Sequence, residues 1–351
     1  MTAPALPRRR PRALRLGPLS IRIERRALLV GTVLGAAIAV MAVIALSTGA
    51  YQIPIMDVIR TLAGEGTTAQ AFIVETLRLP RLLTGLLVGA ALAVGGAMFQ
   101  SVSRNPLGSP DIVGFDTGAA TGALLVILLW HGTMAQVATG AVVGGVGTAI
   151  AVYLLAIKRG VSGYRLIIVG IGIAAMLMAV NDYLITRARI TDAQTAVLWL
   201  TGSLNGRGWE QVRPVALALL VLAVPAIWLG RHLRMLELGD DTARALGIAA
   251  ERTRLASVVV GVGLTAIATA CTGPIAFVAL AAPQVARRLT KVPGPNIVVS
   301  ALTGALVLVV SDFAAQRLLG STQLPVGVMT AAVGGVYLAW LLAAQWRKGR
   351  A

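Results

Sequence analysis

The sequence predicts an all-α, polytopic membrane protein with about ten transmembrane helices, and three observations support this prediction. Of its 351 residues, 57% are apolar and only 13% are charged, about half the charged share of a soluble globular domain. The apolar residues gather in ten runs, and most of the positive charge falls on one side when the runs are taken to cross a membrane in alternation. A soluble or disordered protein is therefore excluded. A disulfide-stabilised one is excluded too, because Cys271 is the only cysteine.

The ten apolar runs define the predicted spans. A membrane-spanning helix takes about 20 residues, and only the eighth run falls well short of that length. The predicted spans are 27–46, 82–100, 112–130, 135–157, 166–186, 212–230, 254–272, 275–289, 297–315 and 326–346. The first could pass for a signal peptide, but its length and the weak cleavage context that follows favour a retained span.

Positive charge predicts the orientation. With the N-terminus in the cytoplasm and the sides alternating, 23 of the 31 Lys and Arg residues lie inside, as the positive-inside rule expects. Both termini are therefore predicted in the cytoplasm. Eight arginines fall in segment 1–26, which we interpret as a membrane anchor. The alternative, an arm that binds nucleic acid, is disfavoured because no aromatic residue is interleaved among them.

Glycine predicts how the spans pack. The chain has 39 glycines, more than a soluble domain of this length usually contains, and many recur at spacings of three or four within spans. Small residues at such spacings allow helix backbones to approach closely in lipid. Helix packing, and not ligand binding, accounts for these glycines.

Enzymatic chemistry is disfavoured. The only lysines are Lys158, Lys291 and Lys348; none follows a glycine, so the chain lacks the phosphate-binding loop of P-loop ATPases. The two histidines fall in loops on opposite predicted sides, which disfavours a metal site. No catalytic residue, metal or cofactor is predicted in this chain.

Carboxylates within spans are rare, which disfavours a proton-coupled secondary transporter without excluding it. Asp312, near the end of the ninth run, has two interpretations. It pairs with a nearby arginine such as Arg317, or it contacts substrate.

Three motifs stand out between the spans. In Arg78-Leu79-Pro80-Arg81, proline suits a helix start, and the two arginines act either as headgroup anchors or as a docking point for an acidic external partner. The segment Gln100–Gly118 carries two prolines with Asn, Gly and Ser, which indicates a rigid non-helical link. The inner loop 231–253 contains a predicted short helix that Asp240 or Asp241 caps and that ends at Gly247.

These motifs, in this order, resemble those of the FecCD-type permeases, the membrane subunits of ABC importers for ferric siderophores, haem and cobalamin. The resemblance covers about residues 27–346. Its motifs are R-L-P-R, N-P-L-x-S-P-D-x-x-G from Asn105, L-G-x-x-x-A-x-x-L-G from Leu238, the run Gly273–Pro283 and L-P-V-G-V from Leu324. The run Gly273–Pro283 is most similar to subunits of the ferric-enterobactin type, which pair with a homologous permease.

The resemblance implies a ten-helix permease domain of the type II ABC importer class at 27–346, in the bacterial inner membrane, with cytoplasmic segments 1–26 and 347–351. It implies a dimer with an identical or homologous permease, separate cytoplasmic ATPase subunits that use ATP, and an extracytoplasmic siderophore-binding lipoprotein. Cobalamin and haem are alternative cargoes. No nucleic-acid partner is expected.

The resemblance also assigns roles to residues by their positions. The implied ATPase-coupling residues are Leu238, Gly239, Asp240, Ala243, Leu246 and Gly247. The implied docking residues for the binding protein are Arg78, Arg81 and Arg317, and the implied cytoplasmic gate residues are Asn105, Leu107, Gly163 and Tyr164. The chain departs from the family pattern at Gln284, Gln316 and Gln323, where the family often has His, Arg and Glu.

Overall fold

The computed structural model describes residues 12–16, 19–157, 163–318 and 323–349, and most of them are helical. The helices are α1 (Arg25–Ser47), α2 (Ile55–Leu62), α3 (Thr68–Ser103), α4 (Phe115–Trp130), α5 (Met134–Ala156), α6 (Gly163–Arg187), α7 (Ile190–Leu200), α8 (Trp209–Leu236), α9 (Asp240–Ala245), α10 (Ala250–Thr272), α11 (Val278–Thr290), α12 (Ile297–Arg317) and α13 (Val326–Gly349). The first 11 residues, with Arg8, Arg9 and Arg10, lie outside the described residues, as do Lys158, Arg159 and Arg350.

The predicted all-α membrane class is confirmed. In the described residues, seven helices are long and apolar enough to cross a membrane: α1, α3, α5, α6, α8, α10 and α12. The apolar helix α4, the apolar part of α13 and the 13-residue α11 match the remaining three predicted runs. Each predicted run therefore corresponds to a helix.

Four elements were not predicted. Helices α2 and α7 lie between spans, where their shortness hides them from a search for 20-residue apolar runs. Within the arginine-rich segment, strands β1 (Arg12–Leu16) and β2 (Leu19–Ile23) pair antiparallel, with Arg12 opposite Ile23. This hairpin precedes the first span.

The longer α-helical part of α3, Leu79–Ser103, has Pro80 in its first turn, as the sequence predicts, but α3 as a whole extends further towards the N-terminus. It begins earlier, where the Thr67 hydroxyl accepts from the Gln70 backbone N–H and the Gln70 side chain accepts from the Thr67 N–H. Pro80 lacks the N–H that would continue the α-helical ladder, and Phe72–Arg78 just before it adopts a π-helical turn. Such turns absorb a local break in the ladder, so the helix runs on to Ser103.

Helix α3 is also the centre of the bundle. It packs against α8, α10, α11 and α12, and Leu92, Met98 and Phe99 are among its fully buried side chains. A Cβ built on Gly95 would lie 2.7 Å from the Thr265 Cγ2 of α10. The predicted glycine-mediated packing is thus observed where α3 meets its neighbours.

Contacts between loops define two opposite ends of the helix bundle. One end, which we call the outer end after the predicted orientation, joins Arg81 to Asp312 and the Ser203 N–H to the Thr272 carbonyl. At the other, the inner end, Arg26 donates to the Leu289 carbonyl. Loops predicted on one side of the membrane therefore meet at one end of the bundle.

Candidate functional site

The short helix α9 lies at the inner end between two glycines. Gly239 has φ 117° and Gly247 has φ 79°, in the left-handed region that glycine adopts without strain. The N-cap is Gly239, so the prediction that Asp240 or Asp241 caps this helix is wrong. Asp240 is instead the first helical residue, and its carboxylate faces two arginines. The helix does end before Gly247, as predicted.

The predicted coupling residues divide into buried and exposed ones. Ala243 is fully buried in the same cluster as Leu236 and Ala250, so it attaches α9 to the ends of α8 and α10. Leu238 is 67% exposed and Leu246 is 57% exposed. Leu238 and Leu246 are therefore exposed on either side of α9, while Ala243 packs the helix against the bundle.

Asp240 joins three helices. Its two carboxylate oxygens accept hydrogen bonds of 2.6 and 2.7 Å from Nη2 of Arg254, on α10, whose side chain is 7% exposed. Arg104, directly after α3, donates to the same carboxylate. Partial burial opposes ionisation of Asp240, but the hydrogen bonds and charges of Arg254 and Arg104 outweigh it and lower its pKa below the ordinary 3.8.

A second polar cluster lies one helical turn away. The Ser101 hydroxyl of α3 donates to Glu237 at 2.7 Å. Arg287 of α11 donates to Glu237 at 3.1 Å and to the Ser101 oxygen at 2.9 Å. Ser101 and Arg104 are three positions apart and share one helix face. The last turn of α3 is therefore held at two points by the segment from Glu237 to Asp240.

The predicted gate link follows directly from that turn. The Asn105 side-chain oxygen accepts from the Leu107 N–H at 2.9 Å, an arrangement that fixes the turn. Gln284 of α11 donates to the Pro106 carbonyl at 2.6 Å. The departure from the family's histidine at this position thus supplies an uncharged donor that ties the link to α11.

The structure also places Gly163 beside this link. A Cβ on Gly163 would lie 2.6 Å from the Ser103 Cα, so the start of α6 fits against the end of α3 only with glycine. Tyr164 is 75% exposed and Leu107 is 41% exposed. The four predicted gate residues are thus divided between two adjoining segments of the inner end.

At the outer end, Asp312 has a different partner from the one expected. Arg81 donates from Nε at 2.9 Å and from Nη2 at 2.8 Å to the two Asp312 oxygens. Gln316 donates to the same carboxylate at 2.8 Å. The expected pair with Arg317 is therefore wrong, because Arg317 lies over the Phe313 ring at 5.2 Å. Residue 317 follows 312 by five positions, which turns it to another face of the helix.

Arg78 is held by the backbone. Its guanidinium donates to the Leu46 carbonyl at 2.6 Å and to the Tyr51 carbonyl, which fastens the end of α1 to α3. Arg78, Arg81 and Asp312 line a cavity of about 320 Å³. Of the three predicted docking arginines, Arg317 is the exposed one.

Sequence reasoning missed the side chains that hold the inner end together, namely Ser101, Arg104, Glu237, Arg254, Gln284 and Arg287. One signal was available for Arg254, because an arginine just inside an apolar run needs a buried partner. Asp240 lies 14 positions before Arg254, and Arg104 lies 136 positions before Asp240, so spacing alone does not reveal that the three side chains meet.

Comparison with known proteins gives a consistent result. A model of the FecCD transport family matches residues 28–344. The ferric enterobactin transport system permease protein FepG of Escherichia coli (strain K12) is 45% identical over 328 residues, which cover 93% of this chain and 99% of that protein. The achromobactin transport system permease protein CbrC of Dickeya dadantii (strain 3937) is 35% identical, over 90% of this chain and 92% of that protein.

Solved structures include a similar fold. A metal-chelate type ABC transporter in an inward-facing conformation superimposes with a TM-score of 0.79 and 26% identity, over 90% of this chain and 99% of that one. A more distant curated relative is the cobalamin import system permease protein BtuC of Halobacterium salinarum. It is 35% identical, over 80% of this chain and 75% of that protein.

Proposed function

This chain belongs to the FecCD transport family, and we propose that it is the permease subunit of an ABC importer that carries a ferric siderophore across the cytoplasmic membrane. The observation that carries the siderophore assignment is the 45% identity with a ferric enterobactin permease over 99% of that protein's length. ATP is used by a separate ATPase, since this chain has no phosphate-binding loop in its sequence.

The proposed coupling site is α9 with its flanking residues. Leu238 and Leu246 enter a cleft on the ATPase, because both are large, apolar and more than half exposed. Gly239 and Gly247 bracket the helix, while Ala243 and Asp240 attach it to the bundle. This division of roles follows from burial, and it leaves Leu238 and Leu246 free to contact a partner.

The proposed gate consists of Asn105, Leu107, Gly163 and Tyr164. Leu107 and Tyr164 are exposed at the inner end, and Asn105 and Gly163 shape the backbone that carries them. A movement of α3 relative to α6 would separate these two segments, since Gly163 rests directly on Ser103. Such relative movement of packed helices is a common form of alternating access.

The proposed docking site for an extracytoplasmic siderophore-binding lipoprotein lies at the outer end. Arg317 makes the direct contact with acidic residues of that protein, because it is exposed there. Arg78 and Arg81 stabilise the same surface, because Arg78 binds the end of α1 and Arg81 binds Asp312. Charge of one sign at a docking surface steers an oppositely charged partner.

We also propose the remaining assembly. Both termini lie in the cytoplasm, as the distribution of Lys and Arg indicates. A second permease subunit, identical or homologous, completes the path. Two ATPase subunits engage the two copies of α9 from the cytoplasm.

Uptake measurements test the proposed cargo. A bacterial strain lacking its own catecholate permeases, but retaining the ATPase and binding protein, would express this chain. Import of labelled iron would then be measured with catecholate, hydroxamate and haem chelates. We expect catecholate-dependent import. Import of the hydroxamate chelate alone, with this chain present in the membrane, would overturn the catecholate class but keep a siderophore as cargo. Import of haem alone would overturn the siderophore assignment while leaving the permease assignment standing.

Cobalamin is the second candidate cargo, and one observation favours it. The cobalamin permease of Halobacterium salinarum is 35% identical over 284 residues, a similarity close to that of several siderophore permeases. Uptake of labelled cobalamin in the same strain distinguishes the two, because cobalamin brings no ferric iron into the cell.

A further inference from the structure

We propose that Asp240 transmits movement of α9 to the gate link through Arg104, with Arg254 as the fixed point on α10. The inference rests on the function proposed above for this chain and adds the route from the ATPase contact to the gate. Asp240 and Arg104 act here as positioning residues, because neither touches the cargo.

The first step concerns how α9 is attached. It has six residues and lies between two glycines in left-handed conformations, which makes its backbone connections easy to rotate. Movement of α9 therefore passes to the bundle chiefly through side chains. Ala243 supplies an apolar contact, and Asp240 supplies the polar one.

The second step concerns the strength of the Asp240 contact. Arg254 is almost fully buried and places both of its hydrogen bonds to Asp240 within 2.7 Å. Charge-assisted hydrogen bonds of this length are the strong ones. The lowered pKa of Asp240 keeps its carboxylate ionised at neutral pH. The Asp240–Arg254 pair is therefore charged on both sides at the pH of the cytoplasm.

The third step concerns what lies beyond Arg104. This residue ends α3 in a left-handed conformation, with φ 50°, and Asn105 of the gate link is the next residue. One turn earlier, Ser101 is bound to Glu237 at 2.7 Å. Displacement of the segment Glu237–Asp240 thus pulls the end of α3 at two points on the same face, and the link must follow.

Arg104 gives the cleanest test, because it lies outside α9 and so outside the proposed ATPase contact. The test uses the complete importer, this chain with its ATPase and binding protein, in proteoliposomes. Arg104→Gln removes the charge, and Arg252→Gln, an exposed arginine at the same end, is the matched control. Three quantities are measured for each: retained ATPase, ATP hydrolysis and chelate import.

We expect Arg104→Gln to retain the ATPase and its hydrolysis while import falls at least about fivefold, the lower end of measured couplings between sites. Arg252→Gln should import normally. The double variant Arg104→Gln with Asp240→Asn should import no less than Arg104→Gln alone, because both changes interrupt the same connection. Import by Arg104→Gln equal to that of Arg252→Gln would overturn the proposal.

A second measurement covers the case in which Arg104→Gln does not accumulate. Arg104→Cys with Asp240→Cys would be bridged by a short bifunctional maleimide, while the native Cys271 stays buried. Bridging should restore import relative to the unbridged double variant, and unchanged import after bridging would contradict the proposal. Failure of the unaltered chain to retain any ATPase would instead refute the proposed function.

Discussion

The ion pair between Arg81 and Asp312 changes the interpretation of the R-L-P-R motif. The arginines of R-L-P-R read equally well as headgroup anchors or as docking residues. In the structure, Arg81 is engaged by a carboxylate 231 positions away, and the side chains are 17% and 10% exposed. Its charge is largely compensated within the chain. Arg81 therefore holds α3 to α12 whatever else it does.

Breaking this pair should destabilise the protein. We expect Arg81→Met or Asp312→Asn to lower the free energy of unfolding by about 3–5 kcal/mol, because each leaves one charge uncompensated in a mostly buried site. Thermal unfolding of the detergent-purified protein measures this effect. Arg81→Met combined with Asp312→Leu should recover much of the loss, and equal losses in single and double variants would contradict a direct pair.

Asp240 should become protonated only at a pH below the usual range for an aspartate. Its folded-state pKa lies below the ordinary 3.8, so its stabilising contribution is present above pH 3.8 and disappears as the pH falls through the lowered value. We expect the difference in thermal stability between the unaltered protein and Asp240→Asn to persist at pH 5 and to shrink only in stronger acid, below that ordinary pKa. A difference that disappears between pH 7 and pH 5 would contradict the ion pairs with Arg254 and Arg104.

At the scale of elements, hydrophobicity predicted which segments are helical but not where they begin and end. Apolar runs are a local property, and each of the ten predicted runs corresponds to a helix. The ends depend on capping and on partners. Helix α3 starts at the Thr67 capping box, 14 residues before the predicted span, because its first turns are too polar to read as a span.

The same limit applies to the candidate site. The sequence predicts a short inner helix and a non-helical link after α3, since prolines and glycines mark turns locally. The link is shorter than the predicted Gln100–Gly118, because α3 continues to Ser103 and α4 begins at Phe115. It does not show that Asp240 binds Arg104 and Arg254, or that Gln284 binds the Pro106 carbonyl. These contacts join segments that lie between or at the ends of different spans, and only the packing of the spans brings them together.

Helix packing through glycine gives a matched pair of substitutions. A Cβ on Gly89 would fall on the Gly304 backbone of α12, whereas one on Gly147 of α5 would meet nothing within 4 Å. We expect Gly89→Ala to cost about 1–3 kcal/mol of stability through overpacking. Gly147→Ala should not destabilise the protein. Thermal unfolding compares the two, and equal effects would refute close packing of α3 on α12.

The exposed end of α9 gives a prediction about the ATPase. We expect Leu246→Glu to abolish retention of the ATPase during purification, because a buried carboxylate would replace an apolar contact. The folded state should be unaffected, since Leu246 is 57% exposed. Leu246→Met is the matched control and should retain the ATPase. Normal retention by Leu246→Glu would remove Leu246 from the proposed coupling site.

At the scale of the whole molecule, α3 connects the two ends of the bundle. It carries Arg78 and Arg81 near its outer end and Ser101 near its inner end, where Arg104 follows directly. Its middle is packed closely on three helices through small residues. We expect a helix that is held at both ends and tightly packed between them to move as a unit with the helices it contacts. Binding at one end can therefore change the position of the other.

The distribution of Lys and Arg is also a property of the whole molecule. The excess of Lys and Arg, 31 against 14 Asp and Glu, first allowed an interpretation as a nucleic-acid-binding protein. Family membership and the seven apolar helices favour orientation in a membrane instead. Several of the inner arginines also form ion pairs, because Arg104, Arg254 and Arg287 bind carboxylates of the inner loop 231–253.

Reconstitution tests the central claim most directly. Proteoliposomes would contain either this chain alone or this chain with its permease partner and ATPase, and each set would be supplied with ferric catecholate and its binding protein. We expect import only when the ATPase and ATP are both present, because the chain supplies a path and no energy source. Import by the chain alone, driven by an ion gradient without ATP, would identify a secondary transporter and contradict this account.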